Sequence, residues 1–146
     1  IVRTMVLYGW DRGLHPNFVT WLLGELDRSR PVRIVNDQYG NTTLADELAE
    51  AIFSLCNGDR SGIYHAAGAG IMNRYEFACI AADVFNADPS LIHETTSDEF
   101  VQKAPRPLNS GLICKKLRLD TGFRFSGARE ALEKLKRQMP DRPRAE

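Results

Sequence analysis

Ile1-Val2-Arg3-Thr4-Met5-Val6-Leu7-Tyr8-Gly9 opens the chain, and how this run folds decides the class of the protein. Apolar and β-branched residues continue almost unbroken to a glycine. Such a run predicts a strand over residues 1–8 that ends at Gly9. A strand this apolar belongs inside a parallel sheet covered on both faces. The rest of the sequence offers few strands to pair with it. The expectation is therefore a strand of a larger sheet, with neighbours outside this sequence and an edge exposed for pairing with another chain.

Working outward, the pattern alternates helices with short strands. After a polar loop over residues 10–16, Asn17 is placed to cap a helix running to about Ser29, with Phe18, Trp21, Leu22 and Leu26 at helical spacing. Val32–Val35 reads as a strand and Asp37–Asn41 as a turn. Thr43 is expected to open a second helix with Asp46 in capping-box position, its apolar face being Leu44, Leu48, Ile52 and Leu55, and Asn57-Gly58 stopping it. Gly62–Ala66 reads as a strand. Asn73, with Glu76 at N3, opens a third helix whose inward residues are Phe77, Ile80, Val84 and Phe85. Asp88-Pro89 begins a short helical turn and Leu91–Thr95 a strand. Ser97 is expected to cap a brief helix to about Lys103, and Pro105-Arg106-Pro107 must be extended. Ser126 is expected to cap a last helix presenting Ala128, Leu132, Leu135 and Met139, followed by a frayed tail over 140–146. The class is α/β with few strands and several helices.

Composition excludes more than it assigns. The 146 residues hold 43% hydrophobic and 26% charged residues, with Lys plus Arg at 19 and Asp plus Glu at 19. That balance does not suggest a nucleic-acid partner, whose domain is normally basic. No apolar run is long enough to span a bilayer, and no signal peptide is read. Cys56, Cys79 and Cys114 are odd in number and widely spaced, which indicates neither a zinc site nor a disulfide framework. Two of them fall in helical stretches and read as buried free thiols; a reducing cytoplasm is the expected location.

No self-contained catalytic constellation emerges. His15, His65 and His93 lie far apart, and there is no G-x-S-x-G elbow and no glycine-rich dinucleotide loop after a strand. Catalytic residues in this chain are expected to be none, and a metal is not expected. Four stretches place polar or aromatic residues at strand ends or in turns, where open α/β sheets bind ligands: Arg3 to Gly9, Asp37 to Asp46, Gly62 to Gly68, and Ala104 to Ser110.

In this order they resemble the extended short-chain dehydrogenase/reductase superfamily, and within it the dTDP-4-dehydrorhamnose reductases. The resemblance rests on Arg3-Thr4 with Tyr8-Gly9, Asn17-Phe18, Asp37-Gln38, Gly62 with Tyr64-His65 and Gly68, Tyr75-Glu76-Phe77-Ala78, and Arg106-Pro107 with Asn109-Ser110. It covers Ile1 to about Met139. Where that family has S-P-T in its turn this chain has Asn41-Thr42-Thr43, where it often has tryptophan this chain has Val6, and where it often has aspartate this chain has Ile113. These departures favour a nucleotide-sugar reductase-like chain over a rhamnose-specific one.

The resemblance implies the C-terminal part of a Rossmann-type fold. Residues 1–9 would supply a strand of the nucleotide-binding sheet, 10–139 would form the sugar-nucleotide domain, and 140–146 would be a disordered tail. NADP or NAD would be bound mainly by a missing N-terminal half, which would also carry the Y-x-x-x-K pair that moves the proton. The parent protein would be an NAD(P)-dependent oxidoreductase and this chain alone inactive. Implied substrate contacts are Arg106 foremost, whose guanidinium fork suits phosphate, then Asn109, Gln38, Asn17, Phe18 and Val6. Implied cofactor contacts are Arg3, Thr4 and Met5. Tyr64, His65, Tyr75 and Phe77 read as packing residues. Expected partners are a nucleotide sugar and a second copy, either in a homo-oligomer or through the exposed first strand. A non-catalytic regulator like the regulatory subunit of methionine adenosyltransferase, or a sugar-nucleotide epimerase or dehydratase, would share the fold.

Overall fold

The computed structural model describes residues 1–11, 15–99 and 104–139. The tail at 140–146 and most of the brief helix expected up to Lys103 lie outside the described residues; Ser97–Glu99 form a turn.

The opening run is two strands, not one. β1 (Val2–Arg3) and β2 (Leu7–Tyr8) are separated by a kink in which Val6 has φ +41°. A positive φ is costly for a β-branched residue and persists only where its surroundings over-determine it. Here they do: the Val6 carbonyl accepts from the Thr43 amide (3.0 Å), and the Met5 carbonyl accepts from the Thr43 hydroxyl (2.8 Å). Each half then finds its own parallel partner. β1 pairs with β6 (Tyr64–His65), and β2 with β5 (Thr43–Leu44). The parallel character of the opening run is thus observed, whereas its continuity is not. Cover is also incomplete, with Leu7 47% and Ile1 80% exposed.

β3 (Val32–Val35) pairs in parallel with β8 (Ile92–Thr95), and β4 (Tyr39–Gly40) antiparallel with β7 (Met72–Asn73). Among the described residues five α-helices pack around these pairs: α1 (Phe18–Asp27), α2 (Ala45–Cys56), α3 (Arg74–Val84), α4 (Lys115–Thr121) and α5 (Ala128–Gln138). Asn17 and Asn73 cap α1 and α3 with reciprocal capping boxes, satisfying backbone donors that would otherwise lie unpaired. Two further expected caps, at Thr43 and Ser126, fail. Thr43 belongs to β5 and its hydroxyl is committed to Met5, so α2 starts at Ala45 without a side-chain cap. Ser126 lies one residue before the Gly127 N-cap of α5, and its hydroxyl accepts from Lys134. The α4 helix was not read from the sequence: at 7 residues it is too short to show a helical period.

The main core joins α1, β3, α3, β8 and α5, with Leu22, Leu23, Phe77 and Leu132 almost wholly inside. A smaller one under α2 and α4 gathers Ala51, Leu55, Tyr64 and Leu117. Two helix faces are rotated from the expected ones. α1 buries Val19 and Leu23 while Trp21 is 42% exposed, and α2 buries Glu47 and Ala51 while Ile52 is 40% exposed. Cys56 is exposed and Cys79 only half-buried, so neither is the enclosed thiol expected.

Candidate functional site

The kink at Val6 forms one wall of a cleft of about 270 Å³. β4, β7, the first residue of α3 and the extended segment around Arg106 form the others. That segment is held against β4: the Tyr39 amide donates to the Leu108 carbonyl (2.7 Å), and the Ser110 amide to the Tyr39 carbonyl (3.0 Å). Flanking prolines fix the backbone on either side of Arg106, which stands exposed at the cleft. Gly40 comes so close to Met5 that a β-carbon there would lie 2.6 Å from its methyl carbon.

Of the residues singled out from the sequence, the cleft brings together Arg106, Gln38, Val6, Phe18 and Met5. Gln38 is 8% exposed, and its amide donates to the Ser97 hydroxyl (2.9 Å). Ser97 in turn donates its amide and its hydroxyl to Asp37 (2.8 Å each), and its amide above all holds the Asp37 carboxyl below the usual carboxylate range. Asp37 and Gln38 are thus both tied to Ser97. Asn17 does not reach the cleft. Its amide donates to the Gly9 carbonyl (2.7 Å) and its oxygen caps α1. Asn109 is also outside the lining, its oxygen accepting from the Gly111 amide (3.2 Å) in a local turn. Arg3 and Thr4 are exposed and absent from the lining, so Met5 alone of the three expected cofactor contacts lies there.

Two residues were missed. Arg74 lines the cleft with its guanidinium carbon 5.9 Å from the centroid of the Phe18 ring. Its only sequence signal is position: it lies between the Asn73 cap and the Tyr75-Glu76-Phe77-Ala78 run. Asn41, 3% exposed, ties three loops together. Its amide donates to the carbonyls of Gly68 (2.8 Å) and Gly70 (2.9 Å), and its oxygen accepts from the Leu112 amide (2.7 Å). Tyr64, read as a packing residue, is buried and its hydroxyl donates to Asp120 (2.8 Å).

None of the described residues lining the cleft is acidic, whereas Arg74 and Arg106 both face it. Such a cleft suits an anion. A second concavity, about 540 Å³, is bounded by Gly68, Gly70, Cys114, Arg118 and Phe123 and is lined by none of the substrate or cofactor contacts that the resemblance implied. Among the described residues no glycine-rich strand-to-helix turn forms a dinucleotide cradle. No group of three or more metal-ligating side chains occurs, and no helix is long and apolar enough to cross a membrane, among the described residues.

Parallel strand pairs with packed helices are the fold this chain shares with solved dTDP-4-dehydrorhamnose reductases. The chain belongs to the family described as RmlD substrate binding domain, whose profile matches residues 1–140. It is 34% identical over 132 residues to the spore coat polysaccharide biosynthesis protein SpsK of Bacillus subtilis, covering 90% of this chain and 44% of that protein. It is 34% identical over 113 residues to a dTDP-4-dehydrorhamnose reductase of Mycobacterium tuberculosis, covering 77% and 36%. Over 123 residues it is 32% identical to the methionine adenosyltransferase 2 subunit beta of Xenopus laevis, covering 80% and 36%. The crystal structure of a dTDP-4-dehydrorhamnose reductase from Bacillus anthracis in complex with NADP superposes with a TM-score of 0.87 at 27% identity, covering 94% of this chain and 48% of that one. The chain thus spans less than half the length of these relatives.

Proposed function

We propose that this chain is the substrate-binding part of an NAD(P)H-dependent nucleotide-sugar reductase acting on a 4-keto sugar, and that the cleft at Arg106 holds the nucleotide sugar. The observation that carries this reading is the acid-free cleft itself, with Arg106 set on a proline-fixed segment beside the buried Gln38 turn. Arg106 pairs with phosphate oxygens, Phe18 and Val6 supply apolar contact, and the Gln38 turn sets the distance to the sugar. A bound nicotinamide cofactor would supply the hydride. It and the Y-x-x-x-K pair are assigned to sequence outside this chain, and the location is taken as cytoplasmic.

The test is calorimetric titration of thymidine diphosphate into the protein that carries this chain. Arg106→Gln is expected to weaken binding about tenfold or more, the size of a lost charge-assisted phosphate contact. Equal affinities for wild type and variant would remove the reading. This chain by itself is expected not to oxidise NADPH in the presence of a keto-sugar nucleotide, followed by absorbance.

A second reading, a non-catalytic regulatory subunit of the same fold, is favoured by the 32% identity to the Xenopus methionine adenosyltransferase subunit. The sequence of the whole protein separates the two. An intact Y-x-x-x-K supports the reductase, and a replaced tyrosine supports the regulator. We further propose self-association through the exposed edge around Ile1 and Leu7, which light scattering would show as a dimer.

A further inference from the structure

Arg74 is the first residue of α3, and its backbone is fixed from both sides. Asn73 before it is 6% exposed, caps the helix through the Glu76 amide (2.8 Å), and is paired in β7 with Tyr39 of β4. The Arg74 side chain is half-buried, lines the cleft, and places its guanidinium carbon 5.9 Å from the centroid of the Phe18 ring. Arg106 projects from the opposite segment into the same cleft. Among the described residues neither guanidinium has a carboxylate within 4.0 Å. Burial, and secondarily the charge of Arg106, lower the pKa of Arg74. Among the described residues the two like charges thus line one cleft without a counter-charge, and arginine stays protonated at neutral pH. With Arg74 half-buried and Arg106 exposed across the same cleft, the pair gains most from a ligand with two adjacent anionic groups.

We infer that Arg74 is a second phosphate contact opposite Arg106, and that the two together make the cleft selective for nucleoside diphosphates over monophosphates. This rests on the reading of the cleft as the nucleotide-sugar site, and assigns to Arg74 the discrimination that Arg106 alone does not supply.

The experiment is calorimetric titration of thymidine diphosphate and thymidine monophosphate into the protein that carries this chain, as wild type, Arg74→Met, Arg74→Lys and Arg106→Gln. Methionine keeps an unbranched apolar stem over Phe18 without the charge; lysine restores the charge without the fork. The wild type is expected to prefer the diphosphate. Arg74→Met is expected to weaken the diphosphate about tenfold while changing the monophosphate much less, so that the preference collapses. Arg74→Lys is expected to recover part of the preference, which a purely packing role would not do. Should Arg74→Met fail to fold, as judged by thermal unfolding without ligand, the lysine variant decides: a preference intermediate between wild type and none supports the inference, and an undiminished preference overturns it. If Arg74→Met keeps the wild-type preference while Arg106→Gln loses affinity, the inference is overturned and the site stands. If the wild type binds neither nucleotide, the reading of the site fails and the inference with it.

Discussion

Thr43 is fully buried, and one hydroxyl there meets two backbones: it donates to the Met5 carbonyl (2.8 Å) and accepts from the Gly68 amide (3.3 Å). It therefore fixes both the kink at Val6 and the loop after β6. Thr43→Val keeps the shape and removes both bonds, leaving buried groups unpaired. A loss of about 1–3 kcal/mol in urea unfolding is expected. Tyr8 is the reverse case. It is 1% exposed, and its hydroxyl has no hydrogen-bond partner among the described residues. Tyr8→Phe is expected to leave stability unchanged or raise it by about 1 kcal/mol. Burial, and then Glu47, push the Tyr8 phenol above its ordinary range. The folded state thus keeps a proton that the unfolded chain releases near pH 10. The associated stability is complete below that pH and is lost as pH rises beyond it, so the phenylalanine variant should show a shallower alkaline decline in thermal midpoint. At this scale the sequence was partly legible. Arg106, Gln38 and Val6 carry signals in their turns and strand end. Arg74 does not, because nothing in a helix's first residue says what it faces.

Among the elements, α5 is latched to α2 through a buried carboxylate. Glu47, 4% exposed, accepts from Lys134 (2.9 Å) and from the Ser126 amide (3.1 Å). The Glu47 hydrogen bond, first among the causes, raises the pKa of Lys134. Glu47→Ala strands the Ser126 amide while Lys134 keeps Glu130 and solvent, and should cost about 1–3 kcal/mol in denaturant unfolding. A change under about 0.5 kcal/mol, the range of ordinary surface substitutions, would show that the latch is not stabilising. This contact explains why α2 was misread. A helical wheel expects the apolar face inward, whereas α2 turns Glu47 towards α5 and leaves Ile52 and Phe53 outside. The asparagine caps of α1 and α3 were legible because capping chemistry is local. The caps expected at Thr43 and Ser126 failed because other partners engaged both hydroxyls, Met5 at a separation of 38 residues and Lys134 at a separation of 8.

At the scale of the molecule, the α/β class and the parallel character of the opening run follow from the sequence pattern, whereas the division of that run between two partners does not. The division depends on Thr43, 37 residues beyond Val6, and no local periodicity reports it. The kink has a consequence for the whole: it turns the chain so that Met5 and Val6 face β4 and the Arg106 segment, closing the cleft. Ile1 and Leu7 are exposed apolar residues at the first two strands, the edge through which self-association is proposed. The most direct test of the account is a crystal structure of the protein that carries this chain with thymidine diphosphate bound. The account predicts the diphosphate in the cleft between Val6, Gln38 and Arg106. A nucleotide seated instead in the concavity beside Cys114 and Arg118, with the Arg106 cleft empty, would contradict it.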